Sequence, residues 1–183
     1  MSIVFENVTK AYDSAVLENV SISFKEKEIT ALLGTSGRGK TTVLRLLASL
    51  EKADSGRVSV GGKVGVLFQE HRLIPTLSAI ENVLLACKDK ELAKNALKLC
   101  KADLLASKLP DEMSGGERQR VALARLVAFD GDVWLLDEPF SALDSDTKQD
   151  IIDNLLPIMK KKTVILVTHS DEEAKLADNV IRL

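Results

Sequence analysis

The sequence of 183 residues predicts an α/β fold with a mostly parallel sheet, an N-terminal antiparallel β part and an inserted α-helical subdomain. Three observations predict it. Val133–Leu136 and Thr163–Val167 are continuous buried-strand patterns, as expected of strands covered on both faces of a parallel sheet. The apolar run Ile29–Leu33 passes through a glycine-rich stretch, Gly34 to Thr42, into a helical pattern at Val43, which makes a strand–loop–helix unit. From Gln69 onward strand signals give way to helical periodicity. The chain thus reads as a single domain, with 1–68 and 131–183 forming the α/β core and a helical block at about 70–130.

In order, residues 2–8 alternate like a strand and 10–14 form a turn. Val20–Phe24 alternates strictly and reads as a half-buried strand, joined by the charged Lys25–Glu28 connection to the strand at 29–33. Such short links leave no room for a crossover helix, so these early strands are expected to be antiparallel. The helix after the glycine-rich stretch should reach Leu50 and stop before Asp54-Ser55-Gly56. Short strands follow at 57–60 and 64–68. Ser78 caps a helix through Cys87, with Ile80, Val83, Leu84 and Ala86 on one face. A second amphipathic helix covers 88–100 with Leu92, Ala96 and Leu99 as its apolar stripe, and 102–109 forms a short third piece. A helix over 115–129, the strand 133–136, a helix over 145–159, the strand 163–167, a helix over 171–177 and a strand at 180–181 complete the chain.

Composition narrows the function. Net charge is −2 and aromatics make up 4%, which argues against a nucleic-acid surface. No apolar run approaches the roughly 18 residues of a membrane span and no leader pattern opens the chain, so a cytosolic protein is expected. Cys87 and Cys100 read as buried thiols, and His71 and His169 lie too far apart in sequence to suggest a metal pair.

The chemistry lies in four places. Gly34-Thr35-Ser36-Gly37-Arg38-Gly39-Lys40-Thr41-Thr42 fits G-x-x-x-x-G-K-[ST] in its proper context. Its glycines let the backbone curl N–H groups around an anion, Lys40 adds a charge for phosphate, and Thr41 offers a Mg²⁺ ligand. Asp137-Glu138 follows the buried strand 133–136, at the sheet edge where α/β ligands bind. Asp137 suits a Mg²⁺ ligand and Glu138 suits polarising a water. His169 ends another buried strand, where an imidazole can hydrogen-bond a phosphate oxygen, and Gln69 ends a third, where its amide can reach metal or water. Ser114-Gly115-Gly116-Glu117 opens the helix at 115 as a capping box. Its two first-turn glycines cost about 1 kcal/mol each and leave a second anion-binding helix end.

Together these residues resemble the ATP-binding subunit of an ABC transporter, over nearly the whole chain. Gly34–Thr42 is similar to the Walker A loop, Gln69 to the Q-loop residue, and Met113–Arg120 to the signature. Leu135–Pro139 is similar to Walker B with its catalytic glutamate, Ser141–Asp144 to the D-loop, and Thr168–Ser170 to the switch histidine. Tyr12 falls where the family stacks an aromatic on adenine. The resemblance implies ATP and Mg²⁺ as ligands, with Thr41, Gln69 and Asp137 around the metal and Glu138, His169 and Gln69 in hydrolysis. It further implies head-to-tail pairing with a second ATP-binding subunit, most simply an identical one. ATP then lies between one Walker A loop and the partner copy's Ser114–Glu117 equivalent, and Asp144 belongs to the D-loop. Partners would be membrane subunits and, for an importer, a solute-binding protein, with the chain at the cytoplasmic face of the membrane. Phe140 within Leu136–Asp144 resembles nitrate, sulfonate and taurine importers. Export, lipoprotein release and a soluble ATPase remain the alternatives. Departures from the pattern are Met113, Glu117 and Arg38. Only 14 residues follow His169, so no C-terminal regulatory segment is expected.

Overall fold

The computed structural model describes residues 3–35 and 37–183. Two compact units emerge from its contacts, one comprising Met1–Val66, Asp132–Glu138 and Lys160–Leu183, the other Leu67–Gly131 and Pro139–Met159.

The first unit holds two sheets. β1 (Ile3–Ala11) lies between β2 (Ala15–Val20) and β4 (Ser55–Val60), antiparallel to both. The second sheet has the order β5 (Val64–Leu67), β6 (Val133–Asp137), β7 (Thr163–Thr168), β3 (Ile29–Leu33), β8 (Asn179–Arg182). Every pairing of β7 with β6 and of β3 with β7 and β8 is parallel. All residues of β3, β6 and β7 are buried, as their unbroken runs require. Helix α1 (Lys40–Leu47) packs Val43, Leu44, Leu46 and Leu47 into a core with Phe5, Leu17, Leu32, Leu135 and Ile165. α6 (Asp171–Ala174) places Ala174 against Ala31 and Leu33.

The sequence reading is corrected at several elements here. The second strand is Ala15–Val20 rather than Val20–Phe24, and Phe24 keeps only an isolated bridge to Ile3. Strict alternation at 20–24 puts Ile22 and Phe24 inward without a ladder. β3 is not a hairpin partner of the early strands. Lys25–Glu28 carries the chain to another sheet, where Val164 N donates to Glu28 O. α1 ends at Leu47, and Ser49 turns left-handed at φ 56.

The second unit is helical. α2 (Ala79–Cys87) and α3 (Lys90–Leu99) pack with α4 (Gly115–Phe129), α3 also touches α5 (Ser145–Met159), and 3₁₀ turns lie at Asp103–Leu105 and Pro110–Glu112. The predicted faces are rotated: α2 buries Ala79, Asn82 and Val83, and α3 buries Ala93, Ala96 and Leu97, leaving Leu92 exposed. Small residues face inward because three helices meet closely, which the hydrophobic pattern alone does not reveal. The stretch 139–159, assigned to the core from sequence, belongs by its contacts to the second unit. Cys100 is buried as expected, whereas Cys87 is only half-buried. Among the described residues no helix is long and apolar enough to cross a membrane.

Candidate functional site

In the first unit, β3 delivers the chain into the phosphate-type loop and α1 leaves it. Gly37 and Gly39 both take φ 82, a conformation that a side chain strains. A Cβ on Gly39 would also meet Leu17 at 2.9 Å, so the loop is pressed against β2. Lys40 is buried, and its Nζ donates to Gly34 O at 2.7 Å and Thr35 O at 2.8 Å, which curls the loop on itself. Thr42 is buried, while Thr35 and Arg38 are exposed, and among the described residues Arg38 has no partner. Ser36, assigned to the loop from sequence, lies outside the described residues.

Thr41 Oγ1 donates to Asp137 Oδ2 at 2.9 Å, joining the first turn of α1 to the end of β6. Burial raises the Asp137 carboxyl above its ordinary range, and Glu138 adds to the rise. The Thr41 bond and the charges of Lys40 and Arg45 oppose it. A buried carboxylate and a hydroxyl at hydrogen-bond distance suit a hard cation, so the residues present fit Mg²⁺. Glu138 has φ 48, rare outside glycine, and its N–H donates to Val167 O at 3.0 Å. This left-handed turn costs on the order of 1 kcal/mol and swings Glu138 out of the strand alternation. His169 Nδ1 lies 3.3 Å from Glu138 Oε1. The His169 loop is held from behind, as Thr168 Oγ1 donates to the buried Glu173 at 2.6 Å and Ser170 N donates to Thr168 Oγ1 at 3.0 Å. The structure therefore brings Lys40, Thr41, Asp137, Glu138 and His169 into one unit, with the Glu138–His169 and Thr41–Asp137 contacts direct. Tyr12 is half exposed in the turn before β2, donates its hydroxyl to Glu51, and has Lys10 Nζ over its ring at 5.4 Å.

The second unit carries the remaining residues expected from sequence. Ser114 Oγ accepts from Glu117 N at 3.2 Å, and Glu117 Oε2 accepts from Ser114 N at 2.8 Å, the reciprocal capping box. Lys108 Nζ reaches Glu117 Oε1 at 3.1 Å. The Ser114 N–H bond first, then Lys108 and the Ser114 hydroxyl, hold the Glu117 carboxyl down at about 2. Glu117 is thus turned back onto its own helix end and its charge is met by Lys108. Gly116 allows a close approach, since a Cβ there would lie 2.7 Å from Ala142 O, whereas a Cβ on Gly115 would meet nothing within 4 Å. Asp144 caps α5, accepting from Thr147 N at 2.9 Å, and that bond leads in lowering its carboxyl. Gln69 is exposed two residues past β5. Sequence reading missed Lys108, Asn82, Arg125 and Glu173. All four act through contacts made by folding, which no local pattern signals.

Comparison with known proteins agrees with the fold and with the family resemblance. The family model described as ABC transporter matches residues 17–141. The sulfate/thiosulfate import ATP-binding protein CysA 2 of Agrobacterium fabrum is 40% identical, over all of this chain and 61% of its own length. The Fe(3+) ions import ATP-binding protein FbpC of Brucella abortus (strain 2308) is 36% identical, over 98% of this chain and 57% of its own. The chain thus spans about three fifths of the length of these curated relatives. The alignment with CysA 2 runs over 208 positions, 25 more than this chain has, so the relative carries extra residues inside the aligned span. A dimeric structure of MJ0796, a bacterial ABC transporter cassette, superposes with TM-score 0.93 at 33% identity, covering 99% of this chain and 94% of that one. A second structure of that cassette, in a post-hydrolysis state bound to ADP and Pi, gives 0.92 at 31%. By family model, relatives and fold alike, the chain belongs to the ABC transporter family.

Proposed function

We propose that this chain binds and hydrolyses ATP and, as a pair of copies, powers import through separate membrane subunits. The observation that carries the reading is the Thr41–Asp137 hydrogen bond, with Glu138 next in sequence and His169 at 3.3 Å from it, beside the Lys40 loop. Lys40 and the loop N–H groups take the phosphates. Thr41 and Asp137, with Gln69 by resemblance, would hold Mg²⁺, which offsets charge on the phosphate oxygens when bound. Glu138 accepts a proton of the attacking water, and His169 keeps that carboxylate aimed. Water adds to the γ-phosphorus, the bond to the bridging oxygen of ADP breaks, and ADP and phosphate leave.

The open space at Gly115 supports a ligand arriving at the Ser114–Glu117 helix end from outside the chain, where a second copy's nucleotide would sit. That the similar cassette is dimeric favours the same arrangement. Import is favoured because the relatives are import ATP-binding proteins. The Phe140 resemblance supports the nitrate, sulfonate and taurine type, whereas the relatives point to sulfate or Fe(3+) systems. Phe140 itself is 1% exposed, so it packs and cannot touch cargo. The cytoplasmic face of the membrane is the matching location. Replacing Glu138 by glutamine should lower steady ATP hydrolysis at least a hundredfold while nucleotide still binds. Undiminished turnover in that variant would remove Glu138 from the mechanism.

A further inference from the structure

Arg125 lies on α4, ten residues and therefore about 15 Å along the helix from Gly115. Its Nη1 donates to Arg72 O and its Nη2 to His71 O, each at 2.8 Å. The side chain is half-buried, and burial lowers the pKa of its guanidinium. Two bonds to consecutive carbonyls fix orientation as well as distance, which a single ammonium cannot do. The same segment is fastened on both sides. Arg72, left-handed at φ 47, lays its guanidinium 3.8 Å from the Phe68 ring centre. Asn82 of α2 is fully buried, accepts from Ile74 N at 2.7 Å and donates to Leu77 O at 2.8 Å. Between these fastenings Gln69 and Glu70 project exposed.

We infer that Arg125 is a positioning residue that ties the loop presenting Gln69 to the helix beginning at Ser114-Gly115-Gly116, so that Gln69 and that helix end move as one body. The inference rests on the function proposed above, in which Gln69 serves the reaction site. Nothing in the motifs assigns Arg125 a part. Its clamp on main-chain carbonyls makes the effect independent of the side chains at 71 and 72.

The test is a double-mutant cycle on the full chain, with ATP hydrolysis read as kcat and KM and folding read by thermal melting. Arg125→Lys keeps the charge but loses the fork. It should lower kcat about tenfold, leave KM for ATP within about twofold, and raise the Mg²⁺ concentration needed for half-maximal rate. In a Gln69→Ala background the same change should cost nothing further. If the two losses multiply, Arg125 supports the fold without acting through Gln69, and the inference is overturned. Hydrogen exchange on the unmutated chain serves even if the variant does not fold. Protection of 69–73 and 114–118 should rise together when ATP and Mg²⁺ are added, and a change in one without the other is fatal to the inference. Absence of ATP turnover in the unmutated chain defeats the proposed function itself, a result distinct from multiplicative losses.

Discussion

Gly115 and Gly116 are adjacent residues of one type with opposite reasons to be glycine. Gly116 leaves room for Ala142 O, which a Cβ would approach to 2.7 Å, while Gly115 faces open space. Alanine at 115 should therefore stabilise the chain by up to about 1 kcal/mol through helix propensity and still impair ATP hydrolysis. Alanine at 116 should lower the melting temperature. Thermal unfolding of the two variants should show shifts of opposite sign, and a shared sign would refute the packing argument for Gly116. Arg38 is the residue that nothing in the structure explains. Glu138 shows how a single backbone angle matters: its φ of 48 breaks the strand alternation and turns the carboxylate toward His169. The sequence placed both residues at strand ends, but only the fold set them 3.3 Å apart.

Among elements, α4 and its cap are the clearest case of local legibility. The capping box at Ser114 and Glu117 is written in four consecutive residues, and it forms as its spacing requires. The Lys108 partner is not local and was not foreseen. Because Glu117 is depressed to about 2 from 4.5, its contribution to stability is complete above pH 4.5 and fades as pH falls toward 2. Glu117→Gln should therefore destabilise the chain at neutral pH, and the gap from the parent should close between pH 4.5 and 2. Chemical unfolding at stepped pH reads this, and a gap independent of pH would assign the stabilisation elsewhere. The elements that sequence misplaced share a cause. Val20–Phe24 has the alternation of a strand but makes only scattered pairings rather than a continuous ladder, and Leu92 falls on the predicted stripe of α3 but not on its packed face. Periodicity reports which residues prefer burial, and the neighbouring elements decide which of them obtain it.

For the molecule as a whole, the phosphate-type loop and the Asp137–His169 cluster lie in the first unit, whereas the Ser114–Glu117 helix end and Gln69 lie in the second. The proposed pairing of copies gives an expectation at this scale. With hydrolysis blocked by Glu138→Gln, ATP and Mg²⁺ should convert the chain from monomer to dimer, and ADP should not. Light scattering after size exclusion measures it, and a species that stays monomeric at saturating ATP would count against the shared site. Dimer formation should also depend on Ser114, whose replacement by alanine removes the cap that orders the helix end.

By itself the sequence determined the buried parallel strands, the glycine loop and the capping box, because each depends on residues close together in the chain, and the order of its motifs, each local, marked the ABC family. The tertiary structure decided which sheet received β3, which helix faces were buried, and that Arg125 grips the loop after Gln69. Those outcomes depend on contacts between distant segments: the Arg125 bonds to Arg72 and His71 span 53 and 54 residues, and Ile29 of β3 pairs with Val164 of β7. A local pattern supplies donors and apolar faces, but the partner that satisfies each is selected only when the chain closes around it.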